Sequence, residues 1–218
     1  MGQAITSGVE PIELEWIRSL PLYFANQSFI WTVARYRQAI ASGVFTEDDK
    51  IELLFGQIFD VMPAGNPHEE CVSLLADFFR YRFMREYRYR EEKSIDLPRQ
   101  LSAPEPDLAI VVNKSYGTNA PSADDIFLVV EVANSSLSRD REVKVQLYAA
   151  AELAEYWIVN LVDRQIEVHL NPLPAQRTYA STAIYAEDKT FTSPFAGEVI
   201  VAELLPAAEE AATTTEEE

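Results

Sequence analysis

Two short apolar runs stand out along the chain. Residues 105–112 read EPDLAIVV and residues 125–132 read DIFLVVEV. Runs of this composition are typical of strands in the middle of a sheet, where both faces are covered. We therefore predict that these two segments are central strands.

Other segments predict further strands around this pair. Imperfect alternation around Phe55-Gly56 predicts a hairpin. Polar alternation predicts another strand in YRYREEKSIDL, and residues 182–205 are expected to add one or two strands. A second hairpin is predicted from residues 155–160 and 165–170, turning through residues 161–164.

Three segments have helical periodicity. The first begins at Thr32 and has Gly43 as its stop signal, the longest spans about residues 68–86, and the third spans about 138–151. The apolar stripe of the longest helix consists of Val72, Leu75, Ala76, Phe79 and Phe83. The order of elements predicts an α/β fold of the mixed α+β kind, with helices flanking a central mixed β-sheet.

The chain divides into three parts by composition. Residues 1–28 have little periodicity and are predicted to form an N-terminal arm. Residues 29–206 are predicted to form one folded domain. Residues 207–218 are rich in Ala, Thr and Glu and are expected to be a disordered acidic tail.

Composition excludes several classes of protein. The sequence has no apolar run long enough to span a membrane, and its start lacks the features of a signal peptide. Because Cys71 is the only cysteine, a disulfide framework is impossible. We therefore expect a cytoplasmic protein. The net charge of −17 argues against tight nonspecific binding to nucleic acid.

Glu131 lies inside the second apolar run, where a carboxylate is costly. A buried carboxylate must be neutralised by a cation, by a partner side chain or by its own protonation. Asp107 lies near the start of the other run. Adjacent strands would bring both acids to one end of the sheet, and such oxygen ligands suit Mg²⁺.

Lys144 is the cation that the next helix offers to these acids. It lies four residues after Asp140 and four before Tyr148, so the three share one helical face. A lysine there could orient and deprotonate an attacking water, or stabilise charge that develops on a phosphoryl group. Tyr148 and Tyr156 are interpreted as packing residues.

Each feature also has a structural interpretation. Glu131 could pair with a lysine or arginine in the core, and Asp107 after Pro106 could be an ordinary turn residue. Asp140 and Lys144 could form an i,i+4 pair on the surface. The combination and its spacing are more specific than any one feature.

Residues 104–112 and 127–159 together resemble the Uma2 family (DUF820) of restriction endonucleases, a branch of the PD-(D/E)xK nuclease superfamily. The resemblance extends from about Thr32 to about Leu170. It implies a restriction-endonuclease-like fold for the domain at 29–206. It also implies endonuclease activity on DNA, with Mg²⁺ (or Mn²⁺) as the cofactor.

The resemblance also assigns roles to individual residues. Asp107 matches the first acid of the motif and Glu131 the second, and both would bind metal together with the carbonyl of Val132. The usual lysine is absent because residue 133 is Ala. Lys144 takes its place from the next helix, and Glu52 is a candidate third acid, although a hairpin glutamate paired with an arginine is an equal alternative.

Four further residues are candidates for contact with substrate. His68 at a helix start could carry a proton or contact phosphate, or could act in capping. Ser135 could contact the substrate backbone, or cap a helix together with Ser136. Arg88 and Arg90 belong to a basic stretch with interleaved tyrosines, which could grip a phosphate backbone or could be a solvated edge strand.

The sequence therefore predicts a metal-dependent endonuclease that hydrolyses DNA phosphodiesters. A homodimer is expected because two related sites are the simplest way to cut two strands. One alternative is a nuclease-like fold that no longer cuts and acts as a binding or regulatory module. Another is a hydrolase or lyase for a small phosphorylated or acidic molecule, which would need a closed, narrow pocket.

Overall fold

The computed structural model describes residues 29–46, 48–61 and 65–208 of the chain. The predicted arm at residues 1–28 lies outside this range, as do residues 209–218 of the predicted tail. No helix in the described ranges is long and apolar enough to cross a membrane.

Three helices are found close to where the apolar periodicity predicts them. Helix α1 has Thr32 as its N-cap, and the Thr32 hydroxyl accepts a hydrogen bond from Arg35 N at 3.3 Å. Helix α2 begins two residues earlier and ends three residues earlier than predicted. Helix α3 is interrupted by a π turn, which the sequence pattern did not predict. The bounds are α1 Val33–Ala41, α2 Asn66–Phe83, and α3 in three segments, Leu137–Arg139, Asp140–Lys144 (the π turn) and Val145–Ala150.

Short 3₁₀ turns connect several of the elements. They are Pro98–Gln100, Ala123–Asp125, Pro174–Gln176 and Val201–Leu204.

The central sheet contains six of the strands found in the described part of the chain, in the order β3-β4-β5-β6-β7-β8. All neighbours in it are antiparallel except β5 and β6, which are parallel, so the sheet is mixed as predicted. The strands are β3 Tyr87–Glu91, β4 Leu108–Val112, β5 Ile126–Ala133, β6 Glu155–Asn160, β7 Gln165–Leu173 and β8 Thr178–Ala186.

Two hairpins lie beside this sheet. The first pairs β1 (Ile51–Leu54) with β2 (Gln57–Asp60) through the predicted turn at Phe55-Gly56. Gly56 is required there, since it has a φ of +77° and an added Cβ would lie 2.5 Å from Ile30 Cγ2. The second pairs β9 (Thr190–Ser193) with β10 (Gly197–Ile200). Residues 182–205 therefore contribute to three strands, one more than the upper expectation.

The sheet has a hydrophobic core on each face. Helix α2 covers one face, where Leu75 and Phe79 pack with Val130 of β5. Helix α3 covers the other, where Leu147 packs with Val129. Because side chains alternate along β5, Glu131 shares the α3 face with Val129. The fold therefore points the strand glutamate at the helix that carries Lys144.

Candidate active site

Asp107 and Glu131 come from neighbouring central strands. The antiparallel register pairs Leu108 with Val130, so Asp107 lies just before β4 at the level of Glu131 in β5. One carboxylate oxygen of Asp107 (Oδ2) accepts a hydrogen bond from the backbone N–H of Val132 at 2.6 Å. The carbonyl of Val132 faces the same side as its N–H, because the two groups of one strand residue point the same way. The structure therefore places both acids and this carbonyl at one end of the sheet.

Lys144 reaches Glu131 from helix α3. Its Nζ lies 2.9 Å from Glu131 Oε2, 3.6 Å from Glu52 Oε2 and 3.8 Å from Asp140 Oδ1. All four side chains are buried, and they are called the buried cluster below. Burial alone would lower the pKa of Lys144, but the charges of Glu131, Glu52 and Asp140 raise it above its ordinary value.

Glu131 is held by two donors. Besides Lys144, the hydroxyl of Tyr148 donates to Glu131 Oε1 at 2.6 Å. Burial raises the pKa of Glu131 well above its ordinary value, while the charge of Lys144 opposes that rise. The expectation that Tyr148 only packs was therefore incomplete, because its hydroxyl binds the central acid. The spacing of four residues from Lys144 was the signal that could have identified it.

Glu52 brings the first hairpin into the site. It lies in β1, is 1% exposed, and its Oε1 lies 3.6 Å from Arg139 Nη1. The interpretation of Glu52 as a hairpin glutamate paired with an arginine is confirmed, and its Oε2 also lies 3.6 Å from Lys144 Nζ. Its role as a third acid stays a prediction. Arg139 is a member of the site that sequence reasoning missed.

Asp140 is buried rather than part of a surface ion pair. It is 1% exposed, and its Oδ2 accepts a hydrogen bond from the Ser136 hydroxyl at 2.6 Å. Its other oxygen, Oδ1, is buried and has no hydrogen-bond partner among the described residues. Burial raises the pKa of Asp140. The surface-pair interpretation is wrong because α3 turns this residue towards the sheet, at the start of the π turn.

His68 contacts Asp107 from the first turn of α2. Its Nε2 lies 3.1 Å from Asp107 Oδ1, and the helix cap is Gly65 rather than His68. Burial alone would lower the pKa of His68, but the hydrogen bond and charge of Asp107 raise it overall. Glu92 is close by, and the ligand atoms of His68, Glu92 and Asp107 all lie within 4.8 Å of one another. Sequence reasoning missed Glu92.

The remaining candidates lie outside the buried cluster. Ser135 is exposed, and Ser136 is the serine that contacts Asp140. Arg90 donates to the carbonyl of Ser94 at 3.1 Å and lies over the ring of Tyr116. Arg88 is exposed on β3, an edge strand of the sheet.

Charges at the site are unbalanced in favour of the acids. The carboxylates are those of Glu52, Asp107, Glu131 and Asp140, and the cations are Arg139 and Lys144. When all are ionised and His68 is neutral, about two negative charges remain uncompensated, and the exposed Glu92 beside Asp107 adds one more. Bound protons or a divalent cation would compensate them. Oxygen donors of this kind suit a hard cation such as Mg²⁺, so the residues fit that ion.

Comparison with known proteins identifies the fold and the family. No curated protein matches the chain. The fold is similar to the crystal structure of "a putative nuclease belonging to DUF820 from Anabaena variabilis ATCC 29413", with a TM-score of 0.60 and 14% sequence identity. The similarity covers 75% of this chain and 94% of that one and shows a restriction-endonuclease-like fold.

The family comparison covers most of the domain. Residues 33–203 match the family model of Uma2, which is described as "Putative restriction endonuclease". The matched segment includes Glu52, Asp107, Glu131 and Lys144. The chain therefore belongs to the Uma2 family, a family of nucleases.

Proposed function

We propose that this protein is a Mg²⁺-dependent endonuclease that hydrolyses DNA phosphodiester bonds. The family supports nuclease function in general. The observation that carries the finer proposal is the ion pair of Glu131 with Lys144, 2.9 Å apart in the core and beside Asp107. Burying a charged pair at the end of two central strands lowers the stability of the fold. Such a cost is expected where the pair serves catalysis.

Three groups would hold the metal ion, namely the carboxylates of Asp107 and Glu131 and the carbonyl of Val132. When bound, Mg²⁺ supplies positive charge and a more acidic water at this end of the sheet. Asp107 is already oriented, because its Oδ2 is held by Val132 N at 2.6 Å. Glu131 is oriented by Tyr148 and Lys144. The ligands therefore need little rearrangement.

Lys144 supplies a positive charge that does not depend on metal occupancy. Its ammonium would orient the attacking water and stabilise negative charge on the phosphoryl oxygens as that water attacks phosphorus in line. Attack forms a phosphorus–oxygen bond to water and breaks the bond to one ester oxygen, and the proton that the water loses to solvent balances the proton that the leaving oxygen gains from it. Asp140, held in turn by Ser136, keeps the lysine within this cluster. Glu52 acts as the third acid.

Exposed basic residues of the β3 edge would extend the contacts with DNA away from the acids, because Arg88 pairs with Val111 whereas Asp107 precedes Leu108 at the other end of β4. Two arginines that precede Arg88 in the chain are occupied within the protein, since Arg80 pairs with Glu91 and Arg82 donates to backbone carbonyls. Arg85 and Arg88 remain exposed. With few phosphate contacts and a net charge of −17, binding should be weak and should depend only shallowly on salt concentration.

A homodimer would place two such sites on the two strands of a duplex. Sedimentation velocity at micromolar concentration tests this part of the proposal. A single species with the mass of one 24.6 kDa chain would contradict it.

Cleavage of plasmid and single-stranded DNA at low salt tests the activity itself. Wild type should cut with Mg²⁺ or Mn²⁺ and stop when the ion is chelated, whereas Asp107→Asn and Lys144→Ala should not cut. Folded wild-type protein that cuts neither substrate with either ion would contradict the proposal and favour a binding module.

A further inference from the structure

We propose a second cation subsite on the solvent side of Asp107, formed by His68, Glu92 and Asp107. It would take a divalent transition-metal ion such as Mn²⁺ or Zn²⁺. The subsite deepens the proposed function by adding a cation next to the substrate, but its binding does not require DNA cleavage. Neither Glu92 nor His68 is part of the ligand set proposed for Mg²⁺.

Three independent elements bring these ligands together. His68 comes from the first turn of α2, Glu92 follows β3, and Asp107 precedes β4. The ligand atoms all lie within 4.8 Å of one another, so small shifts of these side chains would let one cation reach all three at a coordination distance of about 2.0–2.2 Å. Backbone pairing fixes two of them, because Glu92 N donates to the carbonyl of Asp107 at 3.1 Å.

Access distinguishes this subsite from the buried cluster. The side chains of Lys144 and Glu131 are 8% and 3% exposed, whereas those of His68 and Asp107 are 13% and 17% exposed. Glu92 is exposed outright. An ion can therefore enter from solvent without opening the ion pair of Lys144, and a phosphate oxygen could complete its coordination.

The imidazole sets the chemical preference of the subsite. A mixed set of one nitrogen and two carboxylate oxygens suits Mn²⁺ and Zn²⁺, whereas Mg²⁺ favours oxygen ligands. The other ring nitrogen, His68 Nδ1, has no hydrogen-bond partner among the described residues. No neighbouring group thus fixes the tautomer, and a proton on Nδ1 leaves the Nε2 lone pair free for the ion. The ion would replace the direct contact between His68 Nε2 and Asp107 Oδ1.

Metal binding to chelator-treated full-length protein tests the subsite. We would titrate Zn²⁺ and Mn²⁺ by calorimetry into wild type, Glu92→Gln and Glu131→Gln. Glu91→Gln is the matched control, because it is the adjacent glutamate and pairs with Arg80 instead. Loss of a group that hydrogen-bonds to a metal ligand weakens metal binding by about 10–100-fold. Glu92→Gln removes a direct ligand and should weaken Zn²⁺ binding by at least this factor, whereas Glu91→Gln should bind Zn²⁺ as wild type does.

The ring nitrogens of the histidines give a second readout. The chain has two histidines, and His169 lies in β7, where its Nδ1 is 2.9 Å from Thr182 Oγ1. Zn²⁺ should shift the ¹⁵N resonances of the His68 ring in wild type and in Glu131→Gln, and leave those of His169 in place. Zn²⁺ binding that is unchanged in Glu92→Gln, or His68 resonances that do not move, would overturn the proposal.

The variants also separate this proposal from the proposed function. Loss of Mn²⁺ binding only in Glu131→Gln would support metal binding at Glu131 and refute the subsite. Loss only in Glu92→Gln would support the subsite and count against metal binding at Glu131.

Discussion

Replacing Lys144 with methionine tests how the buried cluster is held together. Methionine keeps the length and much of the volume of the side chain but removes the ammonium group. Glu131, Glu52 and Asp140 would then share the core without the cation that lies 2.9, 3.6 and 3.8 Å from them. Removing one partner of a buried ion pair costs about 3–5 kcal/mol. For a chain of this size that lowers Tm by roughly 10 °C.

Urea unfolding in the presence of a chelator measures this cost in the metal-free protein. Lys144→Met should lower the free energy of unfolding by about 3–5 kcal/mol, while the exposed Lys189→Met serves as the control and should leave it unchanged. Adding Glu131→Gln to Lys144→Met should recover part of the loss, because the uncompensated carboxylate is then removed. If Lys144→Met is as stable as wild type, or the double variant is less stable by the sum of both effects, the electrostatic argument is refuted.

Three further predictions concern single groups. Tyr148→Phe should cost about 1–3 kcal/mol in urea unfolding, because Glu131 Oε1 loses its 2.6 Å donor; an unchanged free energy would contradict this. Asp140→Asn should raise the free energy of unfolding in chelator, since it removes one charge from an over-acidic cluster, and should reduce the stabilisation that Mg²⁺ adds; lower stability in chelator would contradict it. Burial lowers the pKa of His169, so its contribution to stability is full above the unfolded pKa of about 6.5 and is lost as the pH falls through the lower folded pKa. His169→Gln should therefore show a flatter decline of the urea midpoint between about pH 7 and 5, and an equal decline in both proteins would contradict this.

The central strands were predictable because their signal is local. A short unbroken apolar run is typical of a strand that is buried on both faces. A single glutamate within such a strand must be paired or neutralised. The register that sets Asp107 beside Glu131 then follows from the pairing of β4 with β5. The approach of Lys144 followed from helical spacing, although a π turn rather than a regular helix carries it.

The rest of the site depends on tertiary packing. Glu92 meets His68 only because α2 starts near the end of β3, and neither segment encodes that proximity by itself. Ser135 and Ser136 are equivalent in sequence, and only the first turn of α3 decides that Ser136 contacts Asp140. Strands β9 and β10 were under-predicted because each has only four residues and few apolar side chains.

The central claim is that Glu131 belongs to a nuclease active site rather than to an ordinary core ion pair. A matched pair of variants in the sheet separates these possibilities. Glu155 of β6 is also a buried strand glutamate, 3% exposed, but it accepts from Trp157 Nε1 at 2.7 Å and lacks the lysine. Both Glu131→Gln and Glu155→Gln remove a buried carboxylate and change few atoms.

The decisive measurement is the rate of plasmid cleavage with Mg²⁺ or Mn²⁺ for these two variants and wild type, with folding checked by thermal unfolding. We predict that Glu131→Gln slows cleavage by at least about a hundredfold, whereas Glu155→Gln cuts at the wild-type rate. If folded Glu131→Gln cuts as fast as wild type, Glu131 holds no catalytic metal and the account is wrong.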